Sequence, residues 1–282
     1  MNLALLRKAA GEARLQLGLS AAGLVLFAWL YGWLVAQLPV GAFATMLRWL
    51  PDMFRPLLGA PLAELATPAG QLSILFVHII TMLVAIGWAV GRGSDPIAGE
   101  ISRGTMDLVV SLPVRRAALL VPPALVAAAG TVVLSLSLWA GIALAVATVD
   151  FKEEVSPWRF APGVINLFAM VFFMTALTTL VSTLVRDRWY VIAASTGFFI
   201  LSFIVKMTAR LWPADWPQAV DVAKWLSRAT FLSLFEPQEM ILVGSGGWRA
   251  GWSSSAGMIA LGLAAYVLAA LVFRWRDIPT VR

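Results

Sequence analysis

Six long apolar runs divide the chain, and each one is long enough to cross a membrane as a helix. They cover residues 19–38, 72–91, 117–149, 163–185, 189–205 and 256–273. About 20 apolar residues in helical form span a hydrocarbon core of roughly 30 Å. Because the bilayer interior offers no water to backbone polar groups, such runs form helices. The pattern therefore predicts an all-α integral membrane protein, with six transmembrane helices in one domain over residues 19–273.

Residues 1–18 have a different pattern, because their apolar positions recur at intervals of three and four. Leu3, Leu6, Ala10 and Ala13 fall on one helical face, and the basic residues occupy the rest of the wheel. This pattern is typical of an amphipathic helix that lies in the membrane interface. We expect a separate amphipathic helix before the first span, with a plain basic flank as the alternative.

Two connections, residues 39–71 and 206–255, are broken by proline or polar residues but remain rich in apolar side chains. Both contain tryptophan, which concentrates at membrane–water interfaces. We therefore expect short helices that lie in the outer interface, including helices in the outer loop 206–255 between the fifth and sixth spans.

The composition agrees with a membrane protein and excludes several chemistries. Hydrophobic residues make up 60% of the chain and charged residues 13%, which is too apolar for a soluble globule. With no cysteine and one histidine, neither a disulfide nor a buried transition-metal site is expected. No lysine follows a glycine, so the phosphate-binding string G-x-x-x-x-G-K-[ST] is missing. We expect a chain without catalytic residues, cofactor or metal.

The distribution of charge predicts how the chain is oriented. The formal net charge is +6, and in a membrane protein this excess points to anionic lipid rather than to nucleic acid. More than half of the 21 Lys and Arg residues lie in four short segments, namely 1–18, 92–116, 186–188 and 274–282. Basic residues concentrate on the cytoplasmic side of membrane proteins. Both termini, the loop 92–116 and the basic tail 274–282 are therefore predicted to be cytoplasmic.

The loop 92–116 is a charged island between two apolar runs, and its sequence predicts two short, stiff helices. An acidic residue followed by proline favours a helix start, glycine a helix end, and threonine a second start with an acidic residue in the first turn. Proline then stops the second helix. The residues concerned are Asp95 and Pro96, then Gly104, then Thr105 and Asp107, and finally Pro113. By spacing alone, an interfacial loop whose arginines bind lipid headgroups remains an equal alternative.

The string from Glu100 to Leu108, followed by Ser111-Leu112-Pro113-Val114-Arg115, resembles a loop of the membrane subunits of type-2 ABC transporters, which are mostly exporters. In that family the loop joins spans two and three and carries the coupling helix, which docks in a cleft of a separate ATPase subunit. The resemblance is dense over about 24 residues. It implies that these residues couple to the ATPase subunit: Glu100, Arg103, Gly104, Thr105, Asp107, Pro113 and Arg115. Asp95, at the start of the same loop, is a further candidate for this coupling.

The resemblance also implies an architecture and a function. We expect an elbow helix over residues 1–18, re-entrant helices between spans five and six, and a dimer, most simply of identical chains, with two copies of an ATPase that binds ATP and Mg²⁺. The whole would export a hydrophobic or amphipathic compound across the cytoplasmic (inner) membrane of a bacterium. The alternative is a non-transporting scaffold or regulatory protein that binds a cytoplasmic partner through loop 93–116.

Polar residues inside two spans are candidates for a translocation path. His78 is the only ionisable residue of the second run, and ionisable groups in membranes are functional candidates. The simpler interpretation is a neutral histidine near the outer end, bonded to a neighbouring carbonyl. In the fourth run, Thr175, Thr179 and Ser182 lie on roughly one face. These hydroxyls either support helix packing or line the path.

Overall fold

Six helices with the length and composition of membrane spans make up most of the part of the chain that the structure describes. The computed structural model describes residues 3–38, 45–46, 49, 59–111, 116–151, 153–211, 217–242 and 244–275, and every regular element among them is helical. Six helices are long and apolar enough to cross a membrane, and we number them spans one to six: Leu3–Gln37, Pro68–Ser102, Val121–Thr148, Pro157–Leu184, Arg188–Leu211 and Gly251–Trp275. The prediction of an all-α, six-span protein is confirmed. Pro113, Arg115, most of residues 39–58 and the tail beyond Trp275 lie outside the described residues.

Span one also includes the segment that was predicted to be a separate amphipathic helix. A single helix of 35 residues runs from Leu3 to Gln37, so the boundary predicted between residues 18 and 19 is wrong. Gly18 and Ser20 weaken a helix only slightly, and no proline stands there to end it. At 1.5 Å per residue the helix is about 52 Å long, which exceeds the membrane core. Part of span one therefore extends beyond the hydrocarbon.

Span four is the centre of the bundle. In its most apolar stretch 72% of the residues are buried, compared with 17% in span five. Spans two, three, five and six all pack against it. Span one packs along span three, where a Cβ on Gly141 would lie 2.6 Å from the carbonyl oxygen of Val25. The described part of the chain is therefore organised around one buried helix, with spans one and five at its periphery.

The helix of span five continues beyond the predicted end of the run. It extends to Leu211, so the outer loop predicted to begin at residue 206 starts later. Lys206 does not end the helix because its charge is satisfied. Its Nζ donates to the carbonyl oxygens of Leu232 and Phe235 at 2.8 and 2.7 Å and pairs with Glu236 at 3.0 Å.

The connection between spans five and six is helical, as predicted. It contains helices Pro217–Ala229 and Pro237–Leu242 and the 3-10 turn Phe231–Leu234. The turn and the second helix are buried against spans four to six. Asn166 of span four donates to the Leu234 carbonyl at 3.0 Å. The depth of the turn Phe231–Leu234 and of the helix Pro237–Leu242 in the membrane, and so their re-entrant character, stays a prediction. The helix that contains span six begins at Gly244 rather than after residue 255.

Candidate functional site

The C-terminal end of span two passes directly into the loop that resembles a coupling helix. Asp95 has helical dihedral angles, φ −73° and ψ −40°. The helix continues through a π-helical turn, Asp95–Gly99, which we call the π segment, and then through Glu100–Ser102. The prediction that Asp95 caps a new helix is therefore wrong. Pro96 has no N–H and its ring collides with a carbonyl in a regular α-helix, so the wider π turn lets the helix continue.

A hydroxyl group from span four completes the hydrogen bonding of the π segment. The Ala98 N–H donates to Ser182 Oγ at 2.9 Å, and Ser182 Oγ donates to the carbonyl oxygen of Ser94 at 3.2 Å. In an α-helix the Ala98 N–H would bond the Ser94 carbonyl directly. Ser182 is completely buried. The side chain of one span is thus built into the backbone hydrogen bonds of another.

The loop then turns at Gly104 and forms a second short helix. Gly104 has φ +70°, the left-handed conformation predicted for a helix end. Helix Met106–Val110 follows, with Asp107 in its first turn, as predicted. Thr105 does not cap it, however. Its hydroxyl donates to Glu100 Oε2 at 2.6 Å and accepts no N–H of the helix, because Thr105 has φ −97° and ψ −1° instead of the extended dihedral angles of a cap.

Glu100 lies at the centre of the site and connects the loop to span one. Its carboxylate is buried and accepts from Lys8 Nζ at 2.8 Å, from Arg103 at 2.7 Å and from Thr105. Lys8 belongs to span one, 92 residues earlier in the chain. Charge-assisted hydrogen bonds are short and strong. They hold the start of span one against the loop.

Asp95 makes the corresponding connection to span five. Its carboxylate lies 2.7 Å from Arg103, 3.5 Å from Arg188 and 3.8 Å from Arg92. Arg188 is the first residue of span five, and its backbone N–H donates to Ser102 Oγ at 3.3 Å. The geometry therefore joins span five to the loop at two points.

Arg103 connects the two carboxylates. One of its nitrogens donates to Asp95 and the other to Glu100, each at 2.7 Å. Burial lowers the pKa of Arg103, but the hydrogen bonds and negative charges of Asp95 and Glu100 outweigh this effect and raise it. A rigid, permanently charged guanidinium is suited to bridge two acidic groups in this way.

The side of the loop that faces away from the spans is open. Gly104 and Asp107 are exposed, and Leu108 exposes 71% of its surface. A cavity of about 50 Å³ lies on the other side, between Lys8, Arg92 and the π segment. The loop thus has one face that is ion-paired to the spans and one free face that includes an apolar side chain.

His78 lies far from this cluster along span two. It precedes helix Ile79–Ser94, and its Nδ1 accepts from the Ile80 N–H at 3.2 Å, instead of donating to a carbonyl as predicted. Its ring packs against Phe27 and Tyr31, with centroids 4.9 and 6.0 Å apart. These contacts favour a role in capping and packing, and a role in a translocation path stays a prediction.

Thr175 and Thr179 are buried in the centre of the bundle. Their hydroxyls donate to carbonyl oxygens of their own helix, Val171 at 2.7 Å and Thr175 at 2.9 Å. This arrangement favours the packing interpretation, and path lining stays a prediction. Ser182, the third residue of the predicted set, instead joins the π segment.

Sequence reasoning missed Lys8, Arg92 and Arg188 as members of the site. Nothing in the local pattern distinguishes Lys8 from Arg7, or Arg188 from Arg186. Only the packing of spans one and five beside span two identifies Lys8 and Arg188, whereas Arg92 lies three residues before Asp95 on the same helix. Among the described residues no group of three or more His, Asp or Glu side chains is placed to hold a metal ion.

Comparison with known families extends the resemblance of the loop to most of the chain. The family described as ABC-2 family transporter protein matches residues 14–277. A comparison with curated proteins gave no significant match. The family match begins inside span one and includes the other five spans and the whole loop 92–116. The chain therefore belongs to the ABC-2 family of transporter proteins.

Proposed function

We propose that this chain is the permease subunit of an ATP-driven exporter. ABC-2 permeases generally work with an ATPase subunit, and this chain is a multi-pass membrane protein of that family. In the proposal, two identical chains associate with two copies of a cytoplasmic ATPase, which binds the ATP and Mg²⁺. The complex resides in the inner membrane of a bacterium, with both termini of this chain in the cytoplasm.

The observation that carries the proposal is the two-sided construction of the loop. The face of the loop that lies towards the spans is ion-paired to spans one and five through Glu100 and Asp95. The opposite face of the loop leaves Asp107 and Leu108 exposed. An exposed apolar side chain with polar neighbours suits the centre of a protein interface. A segment that only bound lipid headgroups would need no such firm connection to the transmembrane helices.

Movement of the ATPase would reach the spans through these connections. Closure of the ATPase pair would push on helix Met106–Val110. The force would pass through Glu100 and Lys8 to span one, and through Asp95 and Arg188 to span five. Packed helices move as rigid elements that shift or rotate against one another. The apolar spans suit a hydrophobic or amphipathic cargo such as a drug, a lipid or a peptide.

Copurification tests the proposal. The tagged full-length chain is purified from its native membranes in mild detergent, and the associated proteins are identified by mass spectrometry. We expect a stoichiometric P-loop ATPase, which is lost in the variant Asp107→Arg/Leu108→Asp and retained in the control Arg186→Ala, an exposed residue of another inner turn. Recovery of the parent chain without any ATPase, under conditions that preserve membrane complexes, would contradict the proposal and favour the scaffold.

A further inference from the structure

Ser182 differs from the other hydroxyl residues of span four in its hydrogen bonds. Thr175, Thr178 and Thr179 donate to carbonyl oxygens within their own helix. Ser182 both accepts from and donates to the backbone of span two. A hydroxyl is a group that can do both at once. The role of Ser182 therefore concerns the conformation of span two.

We infer that Ser182 is a positioning residue that keeps the π segment open and thereby sets the rotation of the loop about the axis of span two. A π turn contains one residue more than an α turn. If the π turn closed to an α turn, the Ala98 N–H would bond the Ser94 carbonyl. The part of the loop after the turn would then rotate about the helix axis by the angle of one helical residue, about 100°. The inference rests on the proposed function, because the loop that Ser182 orients is the element proposed to dock on the ATPase.

The rotation decides which partners the Glu100 carboxylate reaches. Asp95 begins the π segment and Glu100 directly follows it. At a helix radius with side chains of about 5 Å, a rotation of about 100° moves a side chain about 8 Å. The bond of 2.8 Å between Glu100 and Lys8 could not survive this movement. Opening of the π segment is thus required for the connection to span one.

Spans four and five hold the start of the π segment in place. A Cβ on Gly93 would lie 2.6 Å from the Thr178 Cβ, so spans two and four touch closely just before the π turn. Ser94 Oγ accepts from Arg188 Nε at 3.3 Å. The start of the turn is therefore fixed, and its closure can move only the part that follows, which carries Glu100 and helix Met106–Val110.

The absence of cysteine from the sequence allows a direct test by spin labelling. Labels are attached to the variant Arg7→Cys/Ser111→Cys, in which both positions are exposed. The distance between them is measured by pulsed electron paramagnetic resonance, with the full-length chain in nanodiscs and diluted with unlabelled chain. We expect Ser182→Ala to shift the main distance by several ångströms, and Ser182→Thr, which keeps the hydroxyl, to restore the parent distance.

The matched control is Ser73→Ala. Ser73 is as completely buried as Ser182, but its hydroxyl donates at 2.6 Å to the Gly70 carbonyl of its own helix. We expect the parent distance in this variant. A parent distance in Ser182→Ala would overturn the inference. If Ser182→Ala does not yield monodisperse protein, Pro96→Ala/Ser182→Ala is compared with Pro96→Ala, because the proline itself favours the π turn. A distance that differs between these two variants supports the inference, and equal distances overturn it.

The measurement needs no ATPase and no cargo. Failure of the inference is therefore distinguishable from failure of the proposed function. A shifted distance in Ser182→Ala supports the positioning role even if no ATPase copurifies with the chain. An unchanged distance removes that role even if the ATPase does copurify.

Discussion

Substitution of Glu100 by glutamine should loosen the connection between span one and the loop. Glutamine keeps the size of the side chain but removes the charge that attracts Lys8 and Arg103. The Glu100 side chain is 8% exposed, whereas those of Lys8 and Arg103 are 42% and 39% exposed. The two cations can therefore recover water when the carboxylate is lost, and this limits the cost.

The size of the effect follows from this mixed exposure. Removing one partner of a fully buried ion pair costs about 3–5 kcal/mol, and an exposed pair is worth about 0.2–1 kcal/mol. With one buried and two half-exposed partners, we expect Glu100→Gln to cost about 2 kcal/mol, between these limits. For a chain of this size such a loss lowers Tm by roughly 4–8 °C.

Two assays measure the consequence for Glu100→Gln. Thermal unfolding in detergent is followed by the fluorescence of the 13 tryptophans, and the amount of copurified ATPase is determined by mass spectrometry. We expect a lower Tm and less bound ATPase. The matched control is Glu12→Gln, because Glu12 lies 4.0 Å from the same Lys8 but is 39% exposed, so its Tm should stay close to that of the parent. If Glu100→Gln had the Tm and the ATPase recovery of the parent, the Glu100 carboxylate would not connect span one to the loop as described.

Four further predictions about other parts of the structure are tested by thermal unfolding of substituted chains. Lys206→Met removes the cation that Glu236 and two carbonyl oxygens share, so we expect the free energy of unfolding to fall by about 2–4 kcal/mol. A parent Tm would show that this pairing does not stabilise the segment between spans five and six. Gly93→Ala should lower the free energy of unfolding by about 1–3 kcal/mol, because the new Cβ would overlap Thr178. Gly87→Ala, with open space around it, should be neutral or stabilising. Equal effects of the two substitutions would contradict the described contact of spans two and four. Gly104→Ala should cost about 1 kcal/mol because φ is +70°, and an unchanged Tm would argue against the left-handed turn. His78→Asn keeps an acceptor for the Ile80 N–H, so it should lower Tm less than His78→Ala, which removes a capping bond worth about 1 kcal/mol. The reverse order of the two Tm values would contradict a capping role for His78.

The sequence predicted the features that depend on local properties. Six spans follow from the length and hydropathy of the runs, since any segment of this kind must satisfy its backbone bonds internally. The turn at Gly104 follows from the conformational freedom of glycine. The orientation of the chain and the transport path stay predictions.

The features that depend on packing were missed. Asp95 followed by Pro96 has the sequence of a helix start, yet the helix continues because Ser182, 84 residues away from Ala98, supplies the missing hydrogen bond. Thr105 has the sequence of a cap, but its hydroxyl donates to the buried Glu100 and accepts no N–H of the following helix. The end of span five was placed too early because the partner of Lys206 lies in another segment. Each error arose where a distant residue outweighed the local preference.

Site-specific photocrosslinking from residue 108 in native membranes tests directly whether the loop docks on an ATPase. A photoreactive amino acid replaces Leu108 in the full-length chain, and the crosslinked product is identified by mass spectrometry. Trp158, which is also exposed but lies at the start of span four, on the opposite side of the membrane in the proposed orientation, provides the control position. We expect residue 108 to crosslink to a P-loop ATPase, and we expect no such crosslink from residue 158. Crosslinks from residue 108 to lipid alone, with the complex intact, would contradict this expectation.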